Sequence, residues 1–267
     1  MKFIRILVLI VFVLVVGAWS VNVVLDKTVR DHTPPVITSD RDLLELSVKD
    51  DKSKLVLGLK ATDDRDGDLT SEILVGSHSK FISEGVCDIT YLVFDSSNNV
   101  GKYTRRVKYT DYTEPVFTLK EPLMFNSGDT VSMFSKISLT DCLDGDISSK
   151  VKIVVNDVDN SKLGTYYVTF EASNSYADVV NRKLPVNIVN DTIDSPLIEL
   201  TDYLIYINVN DTVEPRKFIK SVTDKYDEKT DISKVSITST VDTTTAGVNQ
   251  IKYESVSYTH LRAHETG

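Results

Sequence analysis

Apolar residues are arranged in two ways along this chain. From Ile6 to Leu25 they run together, interrupted only by Gly17, Ser20 and Asn22. Past Leu25 no stretch keeps a helical apolar period for three turns, and short segments alternate apolar with polar residues instead. A run of about 20 residues rises roughly 30 Å as a helix, the thickness of a bilayer's hydrocarbon core. No polar residue lies between Ile6 and Val16, so the run lacks the wet face of a soluble helix. The pattern predicts a transmembrane helix over 6–25, with Trp19 suited to the headgroup boundary. Lys2 and Arg5 precede it, which keeps the N-terminus inside and the body outside. The competing reading is a cleaved signal peptide, with Ala18-Trp19-Ser20 as a small-x-small site. Apolar residues resume at Val21, Val23, Val24 and Leu25, which favours an uncleaved anchor. No cysteine follows the run closely, so a lipoprotein anchor is excluded.

The alternating part repeats itself about every 80 residues. Pro34-Pro35-Val36-Ile37, Glu114-Pro115-Val116-Phe117 and Ser195-Pro196-Leu197-Ile198 open three units. An aspartate-rich landmark follows in each. It reads Asp63-Asp64-Arg65-Asp66-Gly67-Asp68-Leu69-Thr70 in the first and Asp141-Cys142-Leu143-Asp144-Gly145-Asp146-Ile147-Ser148 in the second. In the third, Thr223-Asp224 and Asp231-Ile232-Ser233 are separated by an insertion that includes Glu228-Lys229-Thr230. A glycine then leads a strand: Gly85 into Cys87, Ile89, Tyr91 and Val93; Gly164 into Tyr166, Val168, Phe170 and Ala172; Gly247 into Asn249, Ile251 and Tyr253. Period-two alternation marks half-buried strands, with Thr165, Tyr167, Thr169 and Glu171 facing water. Leu92 and Phe94 fall on the outer face, which could mark a contact between neighbouring units. Short strands rich in Val, Ile, Thr and Tyr between Asp, Asn, Ser and Gly clusters predict an all-β fold of stacked sandwiches.

An opening proline, Asp-Gly-Asp-Leu-Thr, a glycine-led tyrosine strand, the Asp95-to-Asn99 turn and a closing basic strand together resemble bacterial immunoglobulin-like repeats. Repeats of this type are also seen in pesticidal crystal proteins and are related to hyalin-type repeats. The resemblance covers Pro34 to roughly Glu254 and departs from the pattern at the third landmark. It implies seven-stranded sandwiches on a bacterial surface and no shared activity. The expected organisation is a cytoplasmic N-terminus (1–5), a transmembrane signal-anchor (6–25), a linker (26–33) and immunoglobulin-like domains at 34–112 and 113–192. A truncated third domain follows at 193–255. Residues 256–267 resemble a translated sequencing adapter, which makes the chain a fragment and its two histidines, His260 and His264, irrelevant as a metal pair.

Charge and composition narrow the function classes. The net charge of −9 and the lack of clustered Lys and Arg argue against nucleic acid. Cys87 and Cys142 fall in different repeats, so both read as free, unreactive thiols. His78 is expected on a loop before its strand, and no Cys–His nucleophile is argued for. Arg105, Arg106 and Lys108 read as a solvated basic edge that discourages strand pairing. The carboxylates at 63–68 and 141–146 lack EF-hand spacing; turn formation is the expectation and calcium the alternative.

No catalytic, cofactor or metal residue is therefore expected. The function expected is a non-catalytic, membrane-anchored cell-surface spacer that presents a C-terminal module. The alternatives are a module binding a cell-wall glycan or surface protein, and a piece of a cell-wall enzyme whose catalytic domain lies elsewhere.

Overall fold

The computed structural model describes residues 2–29, 31–190, 196–223 and 231–255. Ser195, Asp224, Glu228-Lys229-Thr230 and the 256–267 tail, named in the sequence reading, lie outside the described residues. The chain divides into two compact units, Met1–Tyr112 and Thr113–Gly267. The architecture is all-β after a single long helix.

In the first unit, helix α1 covers Lys2–Val29. Its Ile6–Val24 stretch is long and apolar enough to cross a membrane, and none of it is buried against protein. Seven strands follow: β1 (Val36–Ser39), β2 (Leu43–Leu46), β3 (Leu59–Asp63), β4 (Gly67–Asp68), β5 (Leu74–His78), β6 (Val86–Phe94) and β7 (Val100–Tyr109). They form two sheets, in the orders β1-β3-β4 and β2-β7-β6-β5. β2 runs parallel to the closing strand β7, whereas the other pairs are antiparallel. Ile37, Leu44, Leu59, Ala61, Cys87, Ile89, Tyr91, Val93 and Val107 are all buried and make the core. The alternation read along Cys87–Val93 is therefore the inward face of β6. Gly101 is needed for a close approach: a Cβ there would meet the Pro35 carbonyl oxygen at 2.1 Å.

The second unit repeats this plan. Its strands are β8 (Val116–Leu119), β9 (Met124–Asn126), β10 (Ile137–Asp141), β11 (Gly145–Asp146), β12 (Lys152–Asn156), β13 (Gly164–Ser173) and β14 (Val179–Val189). The sheets are β11-β10-β8 and β12-β13-β14-β9, with β9 parallel to β14. Phe117, Leu139, Val168, Phe170, Leu184 and Val186 lie at the centre of the core. The same unit holds four further strands, β15 (Leu197–Leu200), β16 (Ile219–Thr223), β17 (Val235–Ser239) and β18 (Ile251–Ser255), paired as two ribbons. Ile219, Val222 and Val235 form a small core of their own. A ribbon pair with three fully buried apolar residues is marginal by itself. Leu204 packs instead on the core behind Phe117, and the Tyr206 hydroxyl donates to the Phe117 carbonyl at 3.1 Å. Arg182 pairs with Glu114 and lies 5.8 Å from the centre of the Tyr206 ring.

Two sequence expectations need correction. His78 ends strand β5 and is not on a loop. The basic strand is not an edge: β7 lies between β2 and β6, and Arg105 is 2% exposed. Arg105 shares its face with Val107, which alternation places inward. Its guanidinium is held without a carboxylate. It donates to the Leu55 carbonyl at 2.6 Å, the Leu57 carbonyl at 2.7 Å and Ser39 Oγ at 3.2 Å, and sits 5.4 Å from the centre of the Tyr91 ring. Arg106 and Lys108 do face water and pair with Asp88 and Glu45.

Strand registers align the two seven-stranded repeats and expose an exchange. Ile89 faces Arg105 across β6–β7, and Val168 faces Leu184 across β13–β14. Arg105 and Tyr91 thus occupy the places of Leu184 and Phe170, so one core holds a hydrogen-bonded charge where the other holds hydrocarbon. Arg105→Ala should cost about 3 kcal/mol, because the Leu57 carbonyl loses its side-chain donor, the Leu55 carbonyl keeps only that of the Tyr91 hydroxyl at 2.7 Å, and a cavity opens. The double variant Arg105→Leu/Tyr91→Phe should recover at least half of that loss, since packed hydrocarbon replaces a buried charge at little cost. Guanidinium unfolding with hydrogen exchange at the β6 and β7 amides measures both. A double variant no better than Arg105→Ala would show that the charge is indispensable.

Candidate functional site

The chemistry-bearing residues gather at one end of each sandwich, where the aspartate landmark meets the hairpin between the two longest strands. Asp63 closes β3. Its Oδ1 accepts from the backbone N–H of Arg65 at 2.9 Å and of Asp66 at 3.0 Å. Gly67 adopts φ +76°, the left-handed conformation that brings the chain back as β4. Asp68 Oδ1 accepts from the Thr70 N–H at 2.9 Å, and the Thr70 hydroxyl oxygen accepts from the Ala61 N–H at 3.1 Å. The second repeat reproduces each bond. Asp141 accepts from Leu143 and Asp144, Gly145 has φ +73°, Asp146 accepts from Ser148, and the Ser148 hydroxyl accepts from Leu139. These carboxylates are doing what short Asx turns do.

One carboxylate in each landmark reaches further. Asp66 accepts from the Ser96 N–H at 2.6 Å and the Ser96 hydroxyl at 2.9 Å. Asp144 takes the same two bonds from Ser175, at 2.6 and 2.7 Å. Ser96 lies in the β6–β7 hairpin and Ser175 in the β13–β14 hairpin, so each bond set ties the three-stranded sheet to the four-stranded one. Ser175 holds the Asp144 carboxyl below its ordinary pKa against the desolvation that pushes it up, and Ser148 does the same for Asp146.

A second cluster sits beside this tie in the first repeat. One carboxylate oxygen from each of Asp31, Asp63 and Asp95 lies within 4.8 Å of the others. Asp31 and Asp95 are each 6% exposed. Asp31 follows α1 closely; its Oδ1 accepts from the Thr33 N–H at 2.9 Å, and Arg65 Nε stands 3.8 Å from its Oδ2. Asp95 opens the β6–β7 turn, where both of its oxygens accept from Asn99 at 2.7 Å, one from the backbone and one from the side chain. The Asn99 amide also donates to the carbonyl of Asp31 at 3.1 Å. These are hard oxygen donors of the kind that hold calcium or magnesium. Sequence reasoning found Asp63 but not its partners, which lie about 32 residues to either side. The readable signal was a carboxylate four residues before Pro35 and another at the head of the second turn.

Both cysteines are free thiols. Cys87 is fully buried, and burial pushes its thiol up to about 11, which leaves almost no thiolate at neutral pH. The Cys142 thiol donates to the Thr113 carbonyl at 3.3 Å.

No family model matches the chain. The pesticidal crystal protein Cry22Aa of Bacillus thuringiensis is 28% identical over 164 residues, covering 60% of this chain. The match spans 22% of that protein, so the chain corresponds to under a quarter of it. Among solved structures, the M60 catalytic domain with CBM51-1 and CBM51-2 from Clostridium perfringens ZmpB covers 59% of this chain and 31% of its own, at 10% identity and TM-score 0.25. The CBM51-2 and INT domains of ZmpB, in complex with GlcNAc, cover 58% and 41%, at 19% identity and TM-score 0.24. Protocadherin Gamma B7 extracellular cadherin domains 1–4 cover 84% and 68%, at 12% identity and TM-score 0.19. Superpositions at this level transfer no ligand and no activity.

The turn carboxylates carry a pH dependence. Asp144 and Asp146 have folded pKa values below the unfolded value of about 3.9, so they stabilise the fold above that value. That contribution is lost as pH falls from about 4 through their lower folded values. Asp144→Asn should weaken the second repeat at pH 7 and flatten its response to acid below about pH 4. Urea unfolding across that range reads the slope, and an unchanged slope would remove Asp144 from the account.

Proposed function

We propose that this chain is a non-catalytic, single-pass surface protein of a bacterial cell. In this reading its immunoglobulin-like repeats, 34–112, 113–192 and 193–255, serve as a spacer between the membrane and whatever lies distal. The observation that carries the reading is the bare helix: the apolar stretch Ile6–Val24 packs against no protein and is followed closely by a β-sandwich. An uncovered apolar helix of that length is stable in a bilayer and not in water. The polar chemistry of the repeats supports the spacer role, because the landmark carboxylates are committed to holding turns and joining sheets.

A second reading, in which the repeats bind a cell-wall glycan or surface protein, is favoured by one patch. Leu74 faces Leu92 across β5–β6, and Phe94 lies two residues further on the same outer face. Leu74 is 55% and Phe94 43% exposed. The matching face of the second repeat is more polar: Tyr167 and Val155 stand there among Thr165, Thr169, Glu171, Asn181 and Lys183. A polar face suits a spacer and an apolar one suits a partner.

Fractionation of cells expressing the chain separates these readings. A spacer should stay in the membrane fraction through an alkaline wash, lose its repeats to protease added outside, and show no affinity for isolated cell wall. Secreted chains beginning near Val21 would overturn the anchor. Cell-wall binding that disappears in Leu74→Ser/Phe94→Ser would replace the spacer with the binding reading.

A further inference from the structure

The two repeats of this chain act as each other's control at the Asp63 cluster. Asp63 and Asp141 occupy one position, each paired with the landmark glycine across the tight turn. Asp95 and Asn174 occupy another. Each heads a turn in which its N–H donates to the carbonyl of the residue four further on, and its carbonyl accepts from the residue three further on. The residues that give that last bond, Asn98 and Ala177, both have positive φ. In the second repeat Asn174 Nδ2 donates to Asp141 Oδ2 at 3.1 Å, which satisfies that buried oxygen. In the first repeat the same oxygen, Asp63 Oδ2, is shut off from solvent and accepts no hydrogen bond. The residue facing it is a carboxylate where the second repeat has an amide, and a carboxylate has no proton to give.

A buried, unsatisfied acceptor on a carboxylate that clusters with two more is costly unless a cation stands among them. Arg65 is the cation paired with the cluster. It is half exposed, and its Nε stands 3.8 Å from Asp31 Oδ2. Among the described residues, three carboxylates and this guanidinium leave a formal charge of about −2, the amount a divalent ion cancels. The geometry agrees. Calcium takes oxygen ligands at about 2.3–2.6 Å, so opposed ligands stand about 4.6–5.2 Å apart. The three oxygens here lie within 4.8 Å of one another, so one ion reaches all of them.

We propose that Asp31, Asp63 and Asp95 bind a single divalent cation, of calcium size, that fastens the segment after α1 to the first sandwich. Asp31 belongs to the chain leaving the helix, Asp63 to the three-stranded sheet, and Asp95 to the hairpin of the four-stranded sheet. The ion therefore joins three pieces of chain at the membrane-proximal end of the first repeat. The second repeat has no counterpart, because Asn174 supplies the missing donor there. Asp111, placed before Pro115 as Asp31 is before Pro35, gives its carboxylate to Ser47 and the Val48 N–H. The inference does not depend on whether the repeats act as a spacer.

The test uses the full chain in detergent, stripped with a chelator and titrated with calcium chloride by calorimetry, with thermal unfolding followed in parallel. The wild type should bind one ion and unfold at a higher temperature in calcium than in chelator. Asp95→Asn gives the first repeat the side chain of the second, whose amide can donate to Asp63. It should therefore unfold in chelator no lower than wild type, bind calcium at least tenfold more weakly, and lose the calcium-dependent shift. Asp31→Asn should weaken binding similarly. A wild type with no heat of binding and no shift would overturn the proposal, as would wild-type affinity retained in Asp95→Asn. Stability that rises on mild acidification with no response to calcium would also overturn it, by assigning the cluster a shared proton.

Discussion

Burial of alternate side chains holds two sheets face to face, but it does not decide how the hairpins at the open ends meet. In this protein that is settled by one carboxylate per repeat. Asp66 and Asp144 each leave the tight turn of the three-stranded sheet and take two hydrogen bonds from a serine in the long hairpin of the other sheet. The bond set is charge-assisted and short, which makes it stronger than a neutral contact. It also needs a particular backbone. Gly67 and Gly145 must turn with positive φ, and Asp63 and Asp141 must hold the loop closed, before the next carboxylate can point across. The aspartate-rich landmark is therefore one device with three parts: a turn former, a cross-sheet tie and a cap on the residue that follows.

This explains why so much of the fold was legible. Alternation along Cys87–Val93 and Val168–Ala172 identified the inward faces of β6 and β13, because a strand's side-chain period of two cannot be altered by its neighbours. The aspartates and glycines were readable as turns because Asx geometry is local. What was not legible depends on contacts distant in sequence. Arg105 looked like a solvated edge residue, since a lone strand does not reveal which neighbours flank it. Only the pairing of β7 between β2 and β6 turns its side chain toward the Leu55 and Leu57 carbonyls. The meeting of Asp31, Asp63 and Asp95 likewise requires three chain segments to be folded before it exists. The β15–β18 ribbons follow a landmark that an insertion interrupts in the sequence, so the pattern that located the turns of the two sandwiches is not repeated there.

The two complete repeats differ most where polar groups are buried. At the core, Arg105 and Tyr91 stand where the second repeat has Leu184 and Phe170. At the sheet end, Asp95 stands where the second has Asn174. Both changes put charge into the first repeat at sites that its sibling fills with neutral groups, and the backbone around them is the same. The scaffold itself therefore does not require the charge. A buried guanidinium on carbonyl oxygens and a buried carboxylate facing carboxylates each cost desolvation energy that a neutral residue would spare. Their shared location narrows the explanation. Both lie in the repeat that the α1 segment joins, and Asp31 brings that segment directly into the carboxylate cluster. Arg105 braces the same repeat from within: its hydrogen bonds hold the Leu55–Leu57 stretch and Ser39 against β7. Directional polar contacts resist shear in a way that nondirectional apolar packing does not. The helix and both charge exchanges thus fall in one compact unit, and the exchanges fix segments of the first repeat that its sibling holds with neutral groups.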